Sequence, residues 1–248
     1  MIVSKSKNLI YCRVPKSAST SVSAALEPYA DPFPATGVAR ALRKIGLGGL
    51  HHRLFNFRNH SHLSFKAAEQ ILPSRFFDGA LKFTVVRHPL SWSVSYYNHV
   101  LRDNLPPQYK EVFKEVRTAQ SFDYFLDWLK DKPRRPISTQ LIDEKGDYLT
   151  DHVVRCENLM AEASELLQGH GIQISVPRLN AGQYRELELS SSQREKIFDL
   201  YGDDMKAFGY DESGALSQPH LSATETTRAV AAQLGASGLA KYDCWNPF

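Results

Sequence analysis

Leu9-Ile10-Tyr11-Cys12-Arg13-Val14-Pro15-Lys16-Ser17-Ala18-Ser19-Thr20-Ser21 holds the change of pattern on which the fold turns. Its first six residues are a short, mostly apolar, β-prone run, which predicts a buried strand. Pro15 to Ser21 follow as a loop of small and polar residues, and Val22 to Leu26 read as the helix that the loop opens, ended by Pro28. Such a strand-loop-helix suits an anion. Small residues let backbone N–H groups approach it, the helix start offers unpaired donors and a positive dipole end, and Lys16 adds a full charge. The Gly-x-x-x-x-Gly-Lys-Ser/Thr pattern of a Walker A loop is absent. Taken alone, the same residues fit a Ser-rich turn with an N-cap equally well.

A second strand is expected over Lys82-Phe83-Thr84-Val85-Val86-Arg87, with Pro89 placed for the first turn of a helix. Leu90, Val94, Tyr97 and Leu101 give that helix an apolar face. Ser95 lies eight residues after Arg87, about two turns on, so both can face an anion at the carboxyl edge of the sheet. Either residue alone is as well explained by a carboxylate partner for Arg87 and a cap or solvent for Ser95. Val153-Val154-Arg155 reads as a third strand, feeding a helix from Leu159 to Leu167 that stops at Gly169. Further helices are expected over Phe65 to Leu72 and Phe122 to Leu129. Another begins at a capping box, Ser192-x-x-Glu195, carries Ile197, Leu200, Tyr201 and Phe208 on one face, and stops at Gly209. The region from about 30 to 50 reads as an irregular insertion with a helix over 38–45, and a polar stretch surrounds Pro106-Pro107. Strands alternating with helices imply an α/β fold with a mostly parallel sheet covered on both faces.

The 248 residues are 42% hydrophobic and 23% charged, which excludes a disordered or fibrous chain and fits a single domain. The formal balance of 30 basic against 27 acidic residues, +3, is too mild for the footprint of a nucleic-acid binder. Cys12, Cys156 and Cys244 have no Cys-x-x-Cys spacing, so neither a disulfide framework nor a cysteine zinc site is indicated. No secretory signal is evident at the amino terminus, and no apolar run approaches the ~20 residues that span a bilayer. These features predict a cytoplasmic protein.

The two loops together resemble those of sulfotransferases that use 3′-phosphoadenosine 5′-phosphosulfate (PAPS). Val14-Pro15-Lys16-Ser17-Ala18-Ser19-Thr20-Ser21 is similar to their 5′-phosphosulfate loop. Phe83 to Tyr97, through Arg87-His88-Pro89 and Ser95, is similar to their 3′-phosphate segment. The resemblance is closest to the carbohydrate branch, including the uronyl 2-O-sulfotransferases. It continues more weakly through Val154 to Leu159, Arg178-Leu179-Asn180 and Tyr201 to Tyr210. His88 stands where many relatives have Asp, and Ser17 where Thr, Ala or Gly is common. The insertion and the tail from 213 to 248 match no family feature.

Asn59-His60-Ser61-His62-Leu63 resembles the His-x-His region that supplies the base in the uronyl 2-O branch. On an extended stretch, His60 and His62 project to one face, and a neutral imidazole is an apt base near pH 7. His51, His52, His60 and His62 have the alternative of a metal site, but no helical His-x-x-x-His or acidic ligand pattern organises them. The resemblance implies a P-loop kinase-like parallel sheet flanked by helices, PAPS as donor, PAP (adenosine 3′,5′-bisphosphate) as product, and no required metal. It implies that Pro15, Lys16, Ser17, Ala18, Ser19, Thr20 and Ser21 hold the phosphosulfate and that Arg87 and Ser95 hold the 3′-phosphate. His62, with His60, is then the base for an acceptor hydroxyl on a carbohydrate. Two rival readings of the loops are a nucleotide-dependent phosphotransferase and a non-catalytic module binding nucleotides or acidic glycans.

Overall fold

A computed structural model of the chain describes residues 1–30, 64–131, 137–143, 145–177, 186–214 and 216. Among these, one sheet is built from β1 (Ile2–Ser4), β2 (Leu9–Cys12), β3 (Leu81–Val86) and β4 (His152–Arg155), in that spatial order. The last three run parallel, with Tyr11 opposite Phe83 and Thr84 opposite Val153, and β1 pairs antiparallel with β2. The helices are α1 (Ser19–Leu26), α2 (Phe65–Ile71), α3 (Ser74–Gly79), α4 (Pro89–Val100), α5 (Pro107–Val112), α6 (Lys114–Ala119), α7 (Phe122–Asp131), α8 (Leu159–Gln168) and α9 (Ser191–Phe208). The expected α/β architecture is present.

Strand alternation sends side chains to two cores. Leu9, Tyr11, Phe83, Val85 and Val154 pack with Val22 and Leu26 of α1 and with Ala163 and Leu167 of α8. Ile10, Cys12, Val86 and Val153 face the larger core, filled from α2, α4, α6, α7 and α9. Because both faces are covered, the parallel strands read as nearly continuous apolar runs. In the larger core, Tyr96 and Tyr97 of α4 meet Phe125 of α7 at ring-centroid distances of 5.5 and 5.4 Å. Each such aromatic contact adds about 0.5–1.5 kcal/mol beyond its burial, so α4 is a rigid base for whatever its exposed side carries.

Several sequence expectations are corrected. The polar stretch around Pro106-Pro107 holds α5 and α6, which bury little beyond Val116 and, at the junction between them, Phe113. The strand bounds differ from the reading: β2 ends at Cys12, two residues short of Val14, β3 is shifted by one residue so that it ends at Val86, before Arg87, and β4 begins one residue earlier, at His152. The capping box of α9 is Ser190 with Gln193, two residues earlier than expected; among three successive serines, Ser190 has the extended backbone (φ −65°, ψ 161°) that a cap requires. Gly209 closes α9 in the left-handed region, as expected. The helix over 38–45, the region 31–63 around it and the tail from 217 lie outside the described residues.

Candidate active site

The three parallel strands end on one edge, which makes neighbours of the loop after β2, Arg87 after β3, and the turn Cys156–Asn158 after β4. In the loop, Lys16 (φ 64°) and Ala18 (φ 54°) are left-handed without being glycine. Such residues cost of order 1–3 kcal/mol each and persist only where the surroundings enforce them. The enforcement comes from the second segment. Trp92 Nε1 donates to the Pro15 carbonyl at 3.0 Å, and Arg87 Nη1 donates to the Lys16 carbonyl at 3.4 Å.

The loop ends in a helix start without a capping side chain: Ala18 occupies the N-cap of α1 and has no oxygen to offer. Ser17 is fully buried, and its Oγ has no partner among the described residues. Ser19 and Ser21 are also buried, whereas Thr20 is exposed. A buried hydroxyl lacking a partner beside uncapped helical N–H groups is costly in an empty site and satisfied by an anion.

Positive charge gathers on the same edge. Burial, then Arg102 and Arg87, pulls the Lys16 ammonium down to about 8. Burial, then Lys16 and Arg102, pulls the His99 imidazole down to about 4 and holds it neutral. Among the described residues, neither the Lys16 ammonium nor the Arg102 guanidinium meets a carboxylate. Ser95 is buried on α4, with His99 one turn further along and Arg102 just past the helix end.

Arg87 is braced as well: its Nε donates to Ser91 Oγ at 3.0 Å. His88 is the N-cap of α4, its Nδ1 accepting from Leu90 N–H at 3.2 Å. An accepting Nδ1 places the ring proton on Nε2, which donates to the Asp211 carbonyl at 3.0 Å. His88 thus performs the capping that an Asp would perform there, and with both nitrogens engaged it has no lone pair free to act as a base.

The structure therefore brings Pro15, Lys16, Ser17, Ala18, Ser19, Ser21 and Arg87 to one sheet edge, with Thr20 on its exposed side, and places Ser95 on α4 one turn before His99, whose imidazole feels the Lys16 charge. His60 and His62 lie outside the described residues. Trp92, His99, Arg102 and Glu157 belong to the same edge and were not singled out from the sequence. The spacing Ser95, His99, Arg102 (i, i+4, i+7) was a usable signal for two of them.

A family model described as Sulfotransferase family matches residues 1–211, most of the chain. The chain belongs to the sulfotransferase family. It is a PAPS-dependent enzyme, and the phosphotransferase and non-catalytic readings give way to that membership. No curated protein and no solved structure matches the chain. The described residues of this sulfotransferase fit such a donor: unneutralised Lys16 and Arg87, the unpartnered Ser17 Oγ and the uncapped start of α1 are complementary to phosphate and sulfate oxygens. Among the described residues, no helix is long and apolar enough to cross a membrane, and no group of three His, Cys, Asp or Glu side chains forms a metal site.

Proposed function

We propose that this sulfotransferase transfers the sulfuryl group of PAPS to a carbohydrate hydroxyl, through the residues read from the two loops and the His-x-His segment. The observation that carries the assignment of roles is the meeting of the Lys16 loop and the Arg87 segment at one edge, as two cationic points without carboxylate partners among the described residues. When bound, PAPS supplies an activated sulfuryl group whose sulfur–oxygen bond to the 5′-phosphate breaks as the acceptor oxygen bonds to sulfur.

In this scheme Lys16, with the N–H groups and hydroxyls of Ser17 to Ser21, holds the phosphosulfate and takes up charge growing on the departing phosphate oxygen. Arg87 and Ser95 hold the ribose 3′-phosphate and set the register of the nucleotide. His62, assisted by His60, accepts the acceptor hydroxyl proton. The likeness of the His-x-His segment to the uronyl 2-O branch supports a sugar acceptor, and the scattered cysteines support a reducing, cytoplasmic location.

The test is incubation with sulfur-labelled PAPS and an extract of the source cells, followed by identification of the labelled species. Label in a glycan or glycosylated molecule is the expected result. Label confined to proteins or to non-glycosylated metabolites would overturn the carbohydrate assignment while leaving the enzyme class in place.

A further inference from the structure

A carboxylate not used in that scheme stands beside it. Glu157 lies in the turn after β4, and the ion pair of Arg155 with Glu162 (2.8 Å) fixes that turn against α8. Its Oε1 accepts from the His88 backbone N–H at 2.9 Å and lies 3.3 Å from Ser91 Oγ; its Oε2 accepts from the Tyr210 hydroxyl at 2.7 Å. Glu157 is itself exposed, but two of the donors that it serves, His88 and Tyr210, are buried.

We infer that Glu157 is a positioning residue for the 3′-phosphate: through Ser91 it aims the Arg87 guanidinium, and through Tyr210 it latches the chain after α9 onto the start of α4. The inference rests on the reading of Arg87 as the 3′-phosphate anchor. The geometry runs in sequence. The single Ser91 proton is shared between the His88 carbonyl (3.1 Å) and Glu157 Oε1, which leaves a lone pair of Ser91 Oγ facing Arg87 Nε. With Nε on Ser91 and one Nη1 hydrogen on the Lys16 carbonyl, three of the five guanidinium hydrogens have no partner among the described residues and remain for a phosphate, in a fixed plane. A guanidinium without that brace has to be ordered by the ligand, and affinity falls by the cost of ordering it.

The latch closes the same unit from the other side. His88 Nε2 donates to the Asp211 carbonyl at 3.0 Å, and the His88 and Tyr210 rings meet edge to face at 5.1 Å. Burial and then the adjacent Glu157 carboxylate push the Tyr210 hydroxyl far up, so it stays a proton donor to Glu157 at any working pH.

The experiment is calorimetric titration of the full chain with adenosine 3′,5′-bisphosphate and with adenosine 5′-monophosphate. Glu157→Ala is expected to weaken the bisphosphate about tenfold and leave the monophosphate unchanged, with Glu157→Gln recovering most of the loss. Ser91→Ala, a smaller change that does not depend on the fold of the Glu157 variant, should give the same selective loss, and the double variant should be no worse than either. In an Arg87→Ala background, Glu157→Ala should have no further effect. Equal weakening of both nucleotides, or further weakening without Arg87, would overturn the inference by showing a general structural role. A wild type that binds the two nucleotides alike would instead overturn the 3′-phosphate reading on which the inference rests.

Discussion

Asp204 of α9 and the Lys16 loop place the same kind of donor beside opposite solutions. The Asp204 carboxylate, 1% exposed, accepts from the backbone N–H groups of Ile137 (2.8 Å) and Ser138 (3.0 Å), which open the short turn Ile137–Gln140. There the chain supplies its own anion, and the knot ties α9 to the segment before β4. At the start of α1 the N–H groups have no capping side chain, Ser17 Oγ has no partner among the described residues, and the charges nearby are cations. The first arrangement is closed and contributes stability. The second holds Lys16 and Ala18 in the left-handed region and leaves the Ser17 hydroxyl, without a partner among the described residues, beside an uncapped helix start for a ligand, at a cost borne by the two cores beneath it.

That contrast breaks most sharply at Lys16. Lys16→Ala should lower turnover with PAPS by about 10³-fold or more, because it removes the charge facing the departing phosphate. The melting temperature should change little, since the Lys16 ammonium meets no carboxylate among the described residues. Near-normal turnover in a folded variant would contradict the assignment. His62→Ala should lower turnover by about 10²-fold or more while the affinity for adenosine 3′,5′-bisphosphate is retained. In the wild type the rate should fall as pH drops and the base becomes protonated, and that acidic limb should vanish from the residual activity of the variant.

At the closed site the expected effect is on stability alone. Asp204→Ala leaves two buried N–H donors unpaired and should cost about 2–4 kcal/mol in denaturant unfolding, without altering nucleotide preference. Burial outweighs the hydrogen bonds and raises the Asp204 carboxyl from 3.8 to about 6. The folded state therefore holds a proton that the unfolded state has released between those values, so this residue's contribution falls as pH rises through that window. The slope should be absent in the variant. The smallest expected effect is a proton count at the open site: with the Lys16 ammonium at about 8, binding an anion at pH 8 should take up about half a proton, read from titrations in buffers of different ionisation heat. Lys16→Ala should bind with no such uptake.

The open site was largely legible in the sequence because its chemistry is local. Strand, small-residue loop and lysine adjoin in one segment, and Arg87 and Ser95 sit at a helical spacing in another. The closed site was not legible, because nothing near Asp204 announces that its partners are Ile137 and Ser138. Glu157 was missed for the same reason, its donors lying at His88, Ser91 and Tyr210. β1 escaped because three residues are too few for a periodicity, and α5 and α6 because their sequence is polar and α5 opens on two prolines. His99 was visible as the next position after Ser95 on one helix face, but its neutrality comes from burial first and then from Lys16 and Arg102 lying nearby, none of which the sequence shows.

Thermal unfolding in the presence of nucleotides tests the open site most directly as a cradle for two phosphates. Adenosine 3′,5′-bisphosphate should raise the melting temperature of the wild type much more than adenosine 5′-monophosphate at the same concentration, and Arg87→Ala should erase the difference. Equal stabilisation by the two nucleotides in the wild type would contradict the account.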